Sequence, residues 1–172
     1  MEKLTKSKQR VKEFGEVYTP EHIVKQMCDY CEPTLSDYTK TVLEPTCGNG
    51  NFLVEILSRK LKSAEKAQDI KKAGLQACES IYGIDILQDN VEESRERLAQ
   101  IYQIWVFKNI EKPTKKLLNE AFLRIYVNIR QGNMLEGVAV KDWKTGEWKA
   151  IPPGNYETIQ NKAKKLAKHI DK

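Results

Sequence analysis

No run of apolar residues in this chain of 172 approaches the roughly 20 needed to cross a bilayer. The amino terminus, MEKLTKSKQRVKE, is charged and lacks the apolar centre of a signal peptide, so the cytoplasm is the expected location. The 4 cysteines are too few and too scattered for a disulfide framework and fit reduced thiols. Cys28 and Cys31 have CxxC spacing, but no second CxxC or CxxH pair completes the four ligands of a structural zinc, and the segment reads as mid-helix. No metal site is expected. Internal repeats and low-complexity linkers are also missing, and the length suits one domain, residues 1–172, able to bury its own core.

What is present is a soluble composition, with 40% hydrophobic and 31% charged residues and a net charge of +5. The basic residues gather at the two ends, in KLTKSKQRVK and NKAKKLAKHIDK. Such clusters are compatible with a polyanionic partner, although solvated helix faces or frayed ends produce them more often.

Apolar spacing outlines the elements. Thr19 is a candidate N-cap ahead of Pro20, and Ile23, Val24, Met27 and Cys31 recur at helical period, which predicts a helix over about 20–31. TVLEP is a short β-branched strand signal, followed by a turn with Gly48 and Gly50 and by Phe52, Leu53, Ile56 and Leu57 at helical spacing. A lysine-rich helical segment, SAEKAQDIKKAGLQACES, leads to a second strand, IYGIDI. An amphipathic helix over LQDNVEESRERLAQIYQIW follows, ended before Pro113, then a short helix in TKKLLNEAF. Ile125, Val127 and Ile129 alternate in RIYVNIRQGNML as a third strand reaching Gly132-Asn133. Strands alternating with helices imply a parallel, doubly wound α/β sheet. Beyond it, Thr145-Gly146 between Trp143 and Trp148 marks a β-hairpin with paired aromatics, and NYETIQNKAKKLAKHI a basic helix.

In a parallel sheet, ligands bind outside the carboxyl ends of the strands, and the glycine turn lies at one. Glycines at 48 and 50 permit positive φ and a close approach to the main chain, although many ordinary turns contain GxG. A dinucleotide fingerprint would place a third glycine where Leu53 stands, and a P-loop would need Gly-Lys-Ser/Thr, which is missing. A ligand without a phosphate at this turn is favoured.

Glu44-Pro45-Thr46-Cys47-Gly48-Asn49-Gly50-Asn51-Phe52 resembles the first S-adenosylmethionine-binding motif of the N6-adenine DNA methyltransferases of restriction-modification type, Asp/Glu-Pro-x-x-Gly-x-Gly-x-Phe. Upstream, Gly15-Glu16-Val17-Tyr18-Thr19-Pro20 resembles the segment that in this family closes over the methionine end of the cofactor. Downstream, Tyr82-Gly83-Ile84-Asp85-Ile86 is similar to the second-strand motif, and Gln131-Gly132-Asn133-Met134-Leu135 to the Gly-Asp-x-Leu stretch at the third. The resemblance covers residues 14–135 and leaves 136–172 divergent.

The resemblance implies an incomplete Rossmann-like class I methyltransferase sheet with helices on both faces, plus the hairpin and carboxyl-terminal helix. It implies S-adenosyl-L-methionine as cofactor. Glu44 would orient the methionine ammonium; Tyr18, Thr19, Thr46 and the amides of Gly48, Gly50 and the turn before Phe52 would meet the carboxylate and backbone. Asp85 would accept from both ribose hydroxyls, a bidentate geometry natural to a carboxylate; it could also cap the following helix. Ile86 and Leu87 would lie against adenine, with Asn133 and Met134 at its far edge; taken alone, the two apolar residues could equally be core. Asn133 replaces the family acid, and a neutral acceptor is roughly half as strong as a charged one.

The family's Asn/Asp-Pro-Pro-Tyr/Phe motif, which grips a flipped-out adenine, has one imperfect counterpart, Ile151-Pro152-Pro153-Gly154. Isoleucine replaces the polar acceptor and glycine the aromatic. No catalytic residue is therefore identified, and the chain is expected to be the cofactor half of such an enzyme, or a non-catalytic S-adenosylmethionine- or DNA-binding module or subunit. DNA is the expected macromolecular partner. A three-stranded sheet with a raw edge further suggests association with another copy or subunit.

Overall fold

The computed structural model describes residues 4–134, 139–141 and 148–150. Among them, α1 (Lys8–Phe14) and α2 (Glu21–Asp29) precede the strand β1 (Val42–Glu44). Then come α3 (Asn51–Ala64), α4 (Ile70–Glu79), β2 (Ile81–Asp85), α5 (Gln88–Asn109), α6 (Lys115–Asn128) and β3 (Ile129–Gln131). A separate pair, β4 (Ala139–Lys141) and β5 (Trp148–Ala150), completes the described elements.

Local chemistry places most boundaries. Ser7 caps α1, its hydroxyl accepting from the Arg10 amide, and Gly15 ends that helix at φ 66°. Helix α2 starts after Pro20, not under a Thr19 cap, and stops at Asp29, short of Cys31. The Thr19 carbonyl instead accepts from the Asn51 side chain at 2.8 Å. The lysine-rich stretch is two helices rather than one, because the Asp69 carboxylate accepts from the Lys72 amide and begins α4 afresh.

The third strand is the main departure from expectation. Thr114 caps α6, and Leu117, Ala121, Ile125 and Asn128 are buried along one helical face. Ile125 and Val127 are therefore helical, and β3 keeps only Ile129–Gln131. A short apolar run satisfied both periods, and packing of its four-residue spacing decided the outcome.

The three strands form a parallel sheet in the order β1-β2-β3. Val42 lies opposite Ile81 and Glu44 opposite Gly83, while Gly83 lies opposite Ile129 and Asp85 opposite Gln131. Both crossovers step across the sheet in one direction, so a common right hand places their helices on one face. Helices were expected on both faces; among the described residues α3, α4, α5 and α6 form one mutually packed layer. Gly83 faces that layer, where a Cβ would lie 2.7 Å from Leu53 Cδ1.

The core runs through Leu53, Leu57, Ile81, Leu98, Ile125 and Ile129. Gly74 lets α4 press against α5, since a Cβ there would enter the Trp105 ring. Lys60 is wholly buried, and its ammonium donates to the carbonyls of Asp37 at 2.7 Å and Lys40 at 2.6 Å, fastening the approach to β1. β4 and β5 pair antiparallel with Lys141 opposite Trp148, as a hairpin requires. Trp143, the Thr145-Gly146 turn and the expected basic helix lie outside the described residues. Among the described residues no helix is long and apolar enough to cross a membrane.

Candidate functional site at the carboxyl ends of the strands

The parallel register brings the ends of β1, β2 and β3 side by side. The chain leaving β1 folds back on β2 through the Cys47 amide, which donates to the Ile84 carbonyl at 2.8 Å. Gly48 then turns at φ 52° and Gly50 at φ 90°, and α3 begins at Asn51. The first-turn amides of α3 have no partner within their own helix and favour negative charge.

Asp85 closes this turn. Its Oδ2 accepts from the Gly48 amide at 2.9 Å, and its Oδ1 accepts from the Leu87 amide at 2.9 Å and from Asn90 Nδ2 at 3.2 Å. The bond from Leu87 realises the capping role; the bond from Gly48 goes further and ties two strand ends together. A carboxylate offers about four acceptor directions, so one remains, on Oδ2. The Asp85 carbonyl accepts from Gly132 at 2.9 Å, which brings Asn133 and Met134 to the same end of the sheet. Both are half-buried, and Ile86 is 42% exposed beside Asp85.

The two glycines do different things. Above Gly48 a Cβ would meet only the Tyr18 ring, at 3.4 Å. At Gly50 it would lie 2.9 Å from Ser94 Oγ, so the bareness at 50 admits a side chain of α5, where sequence reasoning gave it to a ligand. Ser94 Oγ donates to the Gly48 carbonyl at 2.9 Å, and Arg97 donates to the Asn49 carbonyl and to Asn51 Oδ1, both at 2.7 Å. Asn49 donates to Glu93 at 3.1 Å. Helix α5 thus clamps the turn from behind.

Glu44 is half-buried, and burial raises its carboxyl above the usual range against an opposing bond from the Thr46 backbone. Thr46 is exposed, and Phe52 is half-buried against the core. Cys47 is buried, which pushes its thiol up to about 12 and makes it a poor nucleophile.

The segment before α2 covers the same strand ends. Glu16, nearly buried, accepts from Arg10 Nη2 at 2.6 Å, from Arg10 Nε at 2.7 Å and from Asn90 Nδ2 at 2.7 Å. Burial alone would raise this carboxyl, but bonds from Arg10, Asn90 and Tyr18 outweigh it and hold it below its ordinary range. Arg10 also pairs with Asp89 at 2.5 Å, and Lys6 with Asp89 at 2.9 Å and Glu93 at 2.8 Å. Arg10, Asp89, Asn90, Ser94 and Arg97 carry no motif signal, and sequence reasoning missed them. Glu16 stood in a recognised motif without a role.

The structure therefore brings Tyr18, Gly48, Gly50, Asp85, Ile86 and Asn133 to one end of the sheet, with Glu44, Thr46 and Phe52 along the turn and Thr19 against Asn51. A separate hollow of 480 Å³ at the amino ends of β1 and β2, lined by Thr41, Lys72, Gln76, Tyr82 and Arg124 among others, contains none of these residues.

A mixed α/β domain with a glycine turn clasped to an acid on the next strand is thus defined. The sequence model of the N-6 DNA methylase family matches residues 1–122, and the chain belongs to that family. It is 35% identical over 98 residues to the type II methyltransferase M.VspI of Vibrio sp. (strain 343), covering 57% of this chain and 20% of that protein. It is 38% identical over 78 residues to the type II restriction enzyme and methyltransferase RM.BcgI of Heyndrickxia coagulans, covering 44% of this chain and 11% of that protein. The match thus spans a fifth or less of these curated relatives. No solved structure matches the chain.

Proposed function

We propose that the chain binds S-adenosyl-L-methionine at the strand ends and forms the cofactor-binding part of a DNA adenine N6 methyltransferase of restriction-modification type, residues 14–135 lying within a single domain. The observation that carries this reading is the junction of Gly48 and Asp85 at 2.9 Å, in a chain of the N-6 DNA methylase family.

The residues fit the group. Asp85 keeps an acceptor direction at the end of β2 for a ribose hydroxyl, and a second bond to the diol replaces one that it now accepts from the chain. Exposed Ile86 offers an apolar surface for a purine, and Asn133 an amide for its amino edge. Glu44 answers an ammonium, with Tyr18, Thr19, Thr46, Met134 and the amides from Gly48 through Gly50 to Phe52 around the remainder. When bound, the cofactor supplies an electrophilic methyl group on a sulfonium. What these residues do is hold and orient: a half-buried carboxylate facing a cation is worth more than an exposed one, because less water screens it.

DNA is the substrate this reading implies, and the cytoplasm its location. One observation favours a second reading, a non-catalytic S-adenosylmethionine- or DNA-binding module or subunit: Ile151 and Gly154 replace the groups that would grip the target base. The base-gripping part then lies outside these 172 residues, and a second copy, which carries the same two replacements, does not supply it. β1 and β3, each paired only with β2 among the described residues, are edges where a further strand can add.

Calorimetric titration with S-adenosylhomocysteine tests the reading. Binding on the micromolar scale is expected, and no heat at millimolar ligand would remove it.

A further inference from the structure

Three buried polar groups meet beneath the strand ends, Asp85 at 9% exposure and Asn90 at 1% from neighbouring parts of the chain and Glu16 at 9% from a distant one. Buried polar atoms persist only with partners, and here the partners specify an orientation. Asn90 Nδ2 faces the Glu16 carboxylate at 2.7 Å and the Asp85 carboxylate at 3.2 Å. Asn90 Oδ1 faces Lys6 Nζ at 2.9 Å, the Tyr18 hydroxyl at 2.9 Å and Arg10 Nη2 at 3.2 Å. The reverse amide orientation would set an acceptor against two carboxylates and donors against an ammonium and a guanidinium. Only one orientation satisfies both sides.

We propose that Asn90, itself oriented by Glu16, is a positioning residue that fixes the plane of the Asp85 carboxylate for recognition of a vicinal diol. The inference rests on the reading of the strand ends as an S-adenosylmethionine site. A carboxylate rotates about two side-chain bonds, and bidentate capture of two neighbouring hydroxyls requires both rotations to be fixed. The Gly48 amide fixes Oδ2, and Leu87 with Asn90 fixes Oδ1. Leu87 is two residues from Asp85 and moves with it; Asn90, anchored to Glu16 across 74 residues, refers the carboxylate to the rest of the protein. An amide suits the position, because an acid there would add a third negative group between two others.

The test compares two ligands, S-adenosylhomocysteine and its 2′,3′-dideoxy analogue, by calorimetry on the full chain. The wild type is expected to prefer the diol by about tenfold or more, the worth of one charge-assisted hydrogen bond. Asn90→Ala is expected to lose most of that preference, any weakening through its bond to Tyr18 falling on both ligands alike, and Asp85→Ala to lose the preference with no further change in it on adding Asn90→Ala. Asn90→Asp is expected to regain the preference as pH falls, when the new acid can donate as the amide did. Should Asn90→Ala not fold, Asn90→Ser gives the same comparison. Equal weakening of both ligands, with the diol preference intact, would overturn the inference and leave the site standing. If the wild type binds neither ligand, the site itself fails and the inference with it.

Discussion

The amide of Gly48 donates to Oδ2 of Asp85 across 2.9 Å, joining residues 37 apart in sequence at the ends of neighbouring strands. That bond converts a glycine turn and a strand-terminal acid into one unit, since the acid shapes the turn that a ligand would touch.

Replacing the acid should therefore cost affinity on two counts, the lost acceptor and the loosened turn. Asp85→Ala is expected to weaken S-adenosylhomocysteine binding by roughly 10- to 100-fold, the range of a hydrogen bond to a charged group. Titration calorimetry measures it, and an unchanged dissociation constant would detach Asp85 from ligand binding.

At Gly50 the expected effect is on stability. A side chain there meets a φ of 90° and Ser94 Oγ at 2.9 Å, so Gly50→Ala should destabilise by about 1–3 kcal/mol in urea unfolding. In a Ser94→Gly background, which itself gives up the bond to the Gly48 carbonyl, Gly50→Ala should cost less, with the backbone strain left. No cost at all in that background would mean that the φ at 50 relaxes freely.

The order of strands and helices was legible in the sequence because Val42–Glu44 and Ile81–Asp85 are short apolar runs ending at turn residues and the segment after Gly50 repeats at helical spacing. The third strand was not, since Ile125, Val127 and Ile129 fit alternation as well as Leu117, Ala121 and Ile125 fit a helix, and burial of the latter face decided it. The candidate residues met at the strand ends because turn chemistry and strand ends are local properties. Asn90, Ser94 and Arg97 were illegible for the opposite reason: they act on the turn from the first turns of α5, where charged and polar residues look like any solvated helix face. Gly50 shows the same limit, as its spacing matched a motif while its neighbour in space is Ser94.

Acid should loosen the segment that covers the strand ends. Hydrogen bonds from Arg10, ahead of those from Lys6, hold the Asp89 carboxyl down at about 2, and Glu16 is likewise held below its ordinary range. A depressed carboxyl contributes stability above its unfolded value near 4, and that contribution fades as pH falls toward 2. Amide exchange at Tyr18, whose N–H donates to the Leu4 carbonyl at 2.7 Å, should accelerate relative to the core over that window. Asp89→Asn should exchange faster at neutral pH and respond less to acid. Equal acid sensitivity in both proteins would rule out Asp89 as the latch.

The departures at Ile151 and Gly154 bear on catalysis. Incubated with DNA and methyl-labelled S-adenosylmethionine, the chain alone is expected to transfer no label to adenine, because no polar acceptor precedes Pro152 and no aromatic follows Pro153. Incorporation above the level of an Asp85→Ala control would show that other residues form the acceptor site.

The last expectation concerns Lys60, whose ammonium is buried at the far end of α3. Burial lowers it from the ordinary 10.5 to about 8, with nearby Asp37 pulling the other way. Between those values the folded state holds fewer protons than the unfolded chain, so this group makes stability rise with pH. Three buried thiols act in the opposite sense over part of that window: burial pushes Cys28 up to about 11, Cys47 to about 12 and Cys78 higher still, so the folded state keeps their protons longer. The wild-type curve alone mixes these effects, and its difference from Lys60→Met isolates the lysine. In urea unfolding, the stability of Lys60→Met minus that of the wild type should decrease steadily from pH 8 to 10.5, as the wild type sheds the cost of a buried charge. The variant also loses the bonds to the Asp37 and Lys40 carbonyls, which shifts the difference by a constant and leaves its slope. A flat difference would mean that Lys60 keeps its proton throughout, with the two carbonyls outweighing burial.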